Sequence, residues 1–132
     1  MQMLNIPSGN GRLNSTFSDY FWTIDCVDPC EKANIMVSNQ KDNANFKDKI
    51  GNISKLTIQN WSLDSNSKKL YNLIWCNNGF SYLNGKDAIS FLENASNSSH
   101  YDGYLIIKDV IVEDKCCAIY FKDEERVFRA LD

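Results

Sequence analysis

The feature that most constrains the fold is a pair of apolar segments on either side of an Asn-Gly dipeptide. Residues 70–76 and 80–83 are rich in aromatic and branched side chains, and Asn77-Asn78-Gly79 separates them. Asn-Gly favours a type I′ turn, in which both central residues have positive φ. The pattern therefore predicts a β-hairpin over residues 70–83, and the two strands of a hairpin are antiparallel.

A second pair of apolar segments lies near the carboxyl end. Residues 104–112 and 116–121 are separated by Glu113-Asp114-Lys115, which predicts a second hairpin. Apolar and polar residues alternate over residues 20–26, with the period of two that is typical of a half-buried strand. Leu56-Thr57-Ile58 predicts a further short strand.

Helical spacing occurs in one segment and is undecided in two others. Apolar residues recur every three or four positions over residues 86–95, which predicts a helix there. Residues 29–39 follow Asp28-Pro29, a helix-start pattern, yet their alternating branched residues favour a strand slightly. Residues 123–131 fit either a short helix that Asp123 would cap or a last strand.

These elements predict an α+β domain, with a mainly antiparallel β-sheet built from hairpins and one or two short helices packed on it. The 132 residues, of which 43% are apolar, are enough for a single core. Residues 1–15 contain Pro7, Gly9 and Gly11 among polar neighbours. We therefore expect residues 1–15 to form a flexible N-terminal arm and residues 16–132 to form the domain.

Residue types suited to catalysis are few and scattered. His100 is the only histidine, and Asp102 could orient it as a general base for a thiol nucleophile. Catalytic triads are assembled in space, however, so closeness in sequence is poor support for one. The sequence also contains neither G-x-x-x-x-G-K-[ST] nor G-x-G-x-x-G, the glycine patterns of phosphate-binding loops. We predict no catalytic residue and no cofactor.

Five cysteines, two of them the adjacent pair Cys116-Cys117, disfavour a disulfide framework. Their odd number and the absence of an apolar leader predict a reducing, cytoplasmic location. Cys26 and Cys30 have a spacing that two zinc ligands could use, but no second ligand pair lies nearby in sequence. We expect buried free thiols and no metal site.

The net charge of −3 is confined to the last quarter of the chain, where residues 101–132 hold five Lys/Arg against eight Asp/Glu. An acidic chain with no basic stripe is a poor ligand for nucleic acid, and its longest apolar runs are too short to cross a membrane. Aromatic and acidic residues on one surface would suit docking onto a basic protein. The predicted partner-binding residues are Tyr101, Asp102, Tyr104, Glu113, Asp114, Asp123, Glu124 and Glu125.

Together these features favour a non-enzymatic, protein-binding inhibitor. We expect a small cytoplasmic bacterial protein of the immunity or antitoxin type, which would neutralise a basic toxin domain such as a nuclease. One alternative is a small cytosolic enzyme, a hydrolase or transferase that uses His100 or an exposed cysteine. Another is an oligomeric phage or bacterial accessory protein. The oligomeric state stays open.

Overall fold

The computed structural model describes residues 1–44, 46, 48–63, 68–112, 118–121 and 126–130. Its main sheet has five strands, all parallel, in the order β3-β2-β1-β4-β5. The strands are β1 (Gln2–Asn5), β2 (Thr23–Val27), β3 (Ile50–Ser54), β4 (Tyr71–Asn77) and β5 (Ser99–Lys108). The helices are α1 (Asn14–Phe17), α2 (Glu31–Gln40) and α3 (Gly85–Asn97), and a 3₁₀ turn spans Phe80–Tyr82.

A smaller sheet follows, made of β6 (Ile111–Val112), β7 (Ala118–Phe121) and β8 (Arg126–Ala130). In this sheet β8 pairs in parallel with β6 and antiparallel with β7. The strand alternative for residues 123–131 is therefore confirmed where the structure describes it. The second predicted hairpin is wrong, because β5 pairs with β4. Its turn at Glu113-Asp114-Lys115 lies outside the described residues.

The central strands β1, β2 and β4 have buried side chains on both faces, because the crossover connections of a parallel sheet lie on its faces, whereas the edge strand β5 has no buried residue. On one face, Leu4 and Ile74 belong to the same cluster as Phe91 of α3. On the other, Met3 and Val37 of α2 belong to a second cluster. None of the described helices combines the length and apolar composition needed to cross a membrane.

The predicted fold class, an antiparallel sheet built from hairpins, is wrong. Residues 71–77 do form a strand, but the chain then enters the 3₁₀ turn and α3. Asn78 has the positive φ, 54°, that an Asn-Gly turn favours, whereas φ of Gly79 is −117°. A type I′ turn needs positive φ at both positions, so no hairpin forms and β4 finds its partners in distant strands.

Several other elements differ from or agree with the sequence-based predictions. Residues 1–15 are predicted as a flexible arm, but they contain the central strand β1, and Met3 and Leu4 are fully buried. The helix predicted at residues 86–95 is confirmed as α3. The undecided segment 29–39 is helical from Glu31 onward, and the strand predicted at residues 56–58 is wrong, because β3 ends at Ser54 and a loop follows it.

A buried carboxylate ties β2 to its neighbours. Oδ2 of Asp25 accepts a hydrogen bond of 2.7 Å from the Tyr71 hydroxyl and lies 2.5 Å from Nζ of Lys69. Its Oδ1 accepts a bond of 2.9 Å from the backbone N–H of Asn52. Gly51 leaves room for this carboxylate, since a Cβ there would overlap Oδ1. Burial and the bond to Asp25 raise the pKa of Tyr71 well above its usual range, so the hydroxyl keeps its proton.

Replacing Asp25 should therefore destabilise the domain strongly. We expect Asp25→Ala to lower the free energy of unfolding by about 3–5 kcal/mol, because it leaves a largely buried ammonium group without its carboxylate. Urea unfolding measures this change. Asp19→Ala, at an exposed aspartate, is the matched control and should change stability little. Equal stability of the two variants would contradict the importance of the Asp25 cluster.

Candidate cofactor-binding site

A cavity of about 560 Å³ opens at the carboxyl edge of the main sheet. Doubly wound sheets bind their ligands at this edge, at the point where the strand order reverses. Here that point lies between β1 and β4. The cavity is lined by strand ends and by the loops that follow them. The lining residues are Asn5, Pro7, Ser8, Gly9, Asn10, Arg12, Leu13, Asp28, Pro29, Thr57, Ile58, Gln59, Asn77, Asn78, Gly79 and Tyr82.

The loop between β1 and α1 depends on two glycines. Gly9 has φ of 52° and Gly11 has φ of 75°, a region that side chains other than glycine rarely adopt. A Cβ on Gly9 would meet no atom within 4 Å, so the backbone is open to close approach by a ligand. A Cβ on Gly11 would lie 2.7 Å from Nδ2 of Asn14, so this glycine permits close packing of α1.

Asp28, just past the end of β2, holds the glycine loop in place. Its Oδ2 accepts a hydrogen bond of 2.9 Å from the N–H of Gly9, and its Oδ1 accepts one of 2.8 Å from the N–H of Cys30. Asp28 is buried and lies 19 residues after Gly9. In dinucleotide-binding folds, an acidic residue about 20 positions beyond the glycine loop binds the ribose hydroxyls. Asp28 has the position and chemistry for that role.

A buried amide network fixes the far side of the same loop. Asn14 is fully buried, and its Oδ1 accepts a bond of 3.1 Å from Nδ2 of Asn5. Nδ2 of Asn14 donates to Oε1 of Gln40 at 2.9 Å. Nε2 of Gln40 in turn donates to the carbonyl of Gly11 at 3.0 Å. The network connects the loop to β1, α1 and α2, so the loop geometry is set by three elements.

The polar groups of the lining suit a ligand that has both charges and hydrogen-bond donors. Arg12 is the cation and Asp28 the anion among the described lining residues. Asn77 also lines the cavity, and its Oδ1 is buried without a hydrogen-bond partner. Such an oxygen costs about 1–3 kcal/mol, which a donor on a bound ligand would recover. Within the described ranges, no three His, Cys, Asp or Glu side chains could hold a metal ion together.

The segment that follows β4 is pressed against the glycine loop. A Cβ on Gly79 would overlap Cδ of Pro7, so only glycine lets the two loops meet. Behind this contact, the N–H of Asn78 donates to the carbonyl of Lys108 at 2.8 Å. The N–H of Ser81 donates to Oδ2 of Asp109 at 2.9 Å. The end of β5 and the glycine loop therefore hold the wall of the cavity between them.

His100, which the enzyme alternative would use, and the described residues among those predicted to bind a partner lie away from this cavity. His100 is near the start of β5, where Nδ1 is 3.2 Å from Oδ1 of Asp102, and it lines a second cavity of about 380 Å³. Tyr101 and Tyr104 are 94% and 71% exposed. The structure does not place these residues at the carboxyl edge of the sheet. The other five predicted partner-binding residues, Glu113, Asp114, Asp123, Glu124 and Glu125, lie outside the described residues.

The three described cysteines are free, and two of them are buried. Burial raises the pKa of Cys26 to about 11 and that of Cys76 to about 12, whereas Cys30 is exposed at the start of α2. The prediction of buried free thiols is thus confirmed for Cys26 and Cys76 and wrong for Cys30. Cys116 and Cys117 lie outside the described residues.

The sequence does contain a signal for this site, although the search for G-x-G-x-x-G passes over it. Gly9-Asn10-Gly11 follows an apolar segment, and the third glycine position of the pattern is Asn14. Asp28 follows at the spacing of a ribose-binding carboxylate. A search for a strand end that is followed by a glycine loop and, further along the chain, by an acidic residue could therefore have predicted the cavity.

The strand order, the glycine loop and Asp28 define a Rossmann-like α/β domain of the kind that binds nucleotide cofactors. Residues 1–130 match the family described as AdoMet dependent proline di-methyltransferase. The chain belongs to that family. No curated protein matches the sequence.

Two solved structures with the same fold are about twice as long as this chain. A SAM-dependent methyltransferase of Leishmania major superposes with a TM-score of 0.83 at 17% identity, over 98% of this chain and 49% of that chain. An O-methyltransferase of a trans-AT PKS multienzyme of Brevibacillus brevis, solved with S-adenosyl-L-homocysteine, gives a TM-score of 0.79 at 13% identity, over 98% and 42%. The chain thus spans about half the length of these structures. At such identities the likeness shows the fold alone.

Membership of this family overturns the functional prediction. The prediction of a non-enzymatic immunity or antitoxin protein that neutralises a toxin domain is wrong, because the family is one of methyltransferases. The alternative of a small transferase agrees better with the family. The charge distribution misled the prediction, because an acidic chain without an obvious catalytic set can equally belong to a family of methyltransferases.

The contact between Gly79 and Pro7 makes a specific prediction about stability. Gly79→Ala should lower the free energy of unfolding by about 1–3 kcal/mol, because the added methyl group must displace the proline ring or the strand end. Gly85→Ala is the matched control, since a Cβ at Gly85 meets nothing within 4 Å. Thermal unfolding of both variants tests this. A Gly79→Ala variant as stable as Gly85→Ala would show that the two loops do not meet.

The buried thiols predict a loss of stability in alkali. An unfolded thiol has a pKa near 9.0, whereas Cys26 and Cys76 titrate at about 11 and about 12 in the fold. Their contribution is thus complete below pH 9 and is lost as the pH rises through those higher values. Unfolding free energies from pH 8 to 11 should fall less steeply in a Cys26→Ala, Cys76→Ala double variant. The same slope in both proteins would refute the assignment.

Proposed function

We propose that this chain binds S-adenosylmethionine in the cavity at the carboxyl edge and takes part in methylating the nitrogen of a proline. The observation that supports this best is the bond between Gly9 and Asp28 beside the strand-order reversal. The description of the family supports the choice of cofactor and acceptor.

The residues of the cavity fit this cofactor. Asp28 is the acceptor for the ribose hydroxyls, and the open backbone at Gly9 admits close approach. Arg12 is the partner for the carboxylate of the methionine part, since guanidinium and carboxylate groups pair through two hydrogen bonds. The Oδ1 of Asn77, which has no hydrogen-bond partner in the fold, would accept a hydrogen bond from the ammonium group of the methionine part. Ile58, buried beside the cavity, offers an apolar surface to the adenine ring.

When bound, this cofactor would supply a methyl group from its positively charged sulfur to an unprotonated amine nitrogen, with the sulfur–carbon bond broken and S-adenosylhomocysteine as the leaving group. The wall that follows β4 is the part of the chain that faces the acceptor in this proposal. Asn78, Gly79 and Tyr82 lie there, and the Tyr82 side chain is partly exposed at the rim. An aromatic ring at such a place can stabilise a nearby cation.

We also propose a cytoplasmic location. Cys26, Cys30 and Cys76 are unpaired, and free thiols persist in a reducing compartment.

Cofactor binding can be tested without a methyl acceptor. The full chain should bind S-adenosylhomocysteine in isothermal titration calorimetry. Asp28→Ala should weaken binding by about 10- to 100-fold, because it removes a charged hydrogen-bond acceptor and the tether of the glycine loop. Asp48→Ala, at an exposed aspartate, is the matched control and should bind as the wild type does. Binding that Asp28→Ala leaves unchanged would exclude this cavity as the site.

The acceptor is tested with the same protein. A peptide that begins with proline should gain two methyl groups from S-adenosylmethionine, as measured by mass spectrometry. The same peptide with an acetylated amino terminus is the control. If the chain binds S-adenosylhomocysteine but methylates neither peptide, the cofactor site stands and the assignment of the acceptor to this chain alone is wrong.

A further inference from the structure

Two of the loops that line the cavity are joined by an exposed hydrogen bond. Gln59 belongs to the loop that follows β3, and Tyr82 ends the 3₁₀ turn that follows β4. Nε2 of Gln59 donates a hydrogen bond of 3.1 Å to the carbonyl oxygen of Tyr82. Both residues line the cavity and both are exposed. The bond therefore connects the two walls at their outer ends.

Each wall is anchored next to this bond by a buried side chain. Ile58, directly before Gln59, is 6% exposed, and Leu83, directly after Tyr82, is fully buried. The loop that contains Gln59 is closed by a bond of 3.1 Å from the N–H of Asn60 to the carbonyl of Thr57. The bases of both walls are thus fixed in the core, and their rims meet through an exposed bond that water can replace.

We propose that the bond between Gln59 and Tyr82 is a clasp that sets how fast the cofactor enters and leaves the cavity. The proposal rests on the proposed function. A molecule that passes between the two loops must first break the clasp. The clasp joins two protein groups, so it contributes equally to the free and the bound chain and cancels from the affinity. Its effect should fall on the two rates.

The experiment uses the immobilised full chain and S-adenosylhomocysteine, with association and dissociation rates measured by surface plasmon resonance. Gln59→Ala removes the donor. Gln59→Glu keeps the length of the side chain but places a carboxylate against the carbonyl oxygen. In both variants the two rates should rise together by about fivefold, the factor that corresponds to one neutral hydrogen bond, and the dissociation constant should stay unchanged. Asn60→Ala, the exposed neighbour, is the matched control and should keep both rates of the wild type.

The other outcomes separate the clasp from the proposed function. Wild-type rates in both Gln59 variants would overturn the clasp and leave the cofactor site intact. A faster dissociation with unchanged association would also overturn it, because Gln59 would then bind the cofactor directly. Failure of the wild-type chain to bind S-adenosylhomocysteine would overturn the proposed function, and the clasp with it.

Discussion

The parallel pairing of β1 with both β2 and β4 is the constraint on which the rest of the structure depends. Parallel neighbours cannot be joined by tight turns, so each connection must cross a face of the sheet and return. This buries both faces of the central strands β1, β2 and β4 and brings the carboxyl ends of all five strands to one edge. From β1 the chain continues towards one side of the sheet, and from β4 it later continues towards the other side. The loops that follow β1 and β4 therefore diverge at this edge and leave a cavity between them.

The groups around that cavity are held mainly by hydrogen bonds and close packing. Asp28 uses both carboxylate oxygens on backbone N–H groups, and Asn14 and Gln40 hold the glycine loop through amides. Close packing also fixes these groups, for example where the backbone of Gly79 lies against the ring of Pro7. Backbone groups that are fixed in this way can meet a ligand without reorganising, which lowers the cost of binding. The other buried carboxylate, Asp25, is paired with a cation instead and stabilises the strands.

Some elements were predictable because their determinants are local. The apolar spacing of α3 and its cap, where Oδ1 of Asn84 accepts a bond of 2.9 Å from the N–H of Asp87, lie within a few residues of each other. The sequence left the segment after Asp28 undecided, because the apolar residues Ala33, Ile35 and Val37 fit the spacing of a helix and that of a strand. In the fold this segment is a helix whose Val37 is buried against the sheet. The hairpin prediction failed because a turn signal at Asn78 and Gly79 does not say which strand comes next to β4.

The amino-acid sequence by itself determined where apolar segments, glycines and helix caps fall, since these act over a few neighbouring residues. It also placed Gly9 and Asp28 in the chain, 19 residues apart. Only the tertiary structure decided that the strands are parallel, that β1 is central and that Asp28 meets the N–H of Gly9 at 2.9 Å. The physical reason is that strand partners are chosen by burial of both faces of the sheet, a property of the whole chain that no local pattern contains.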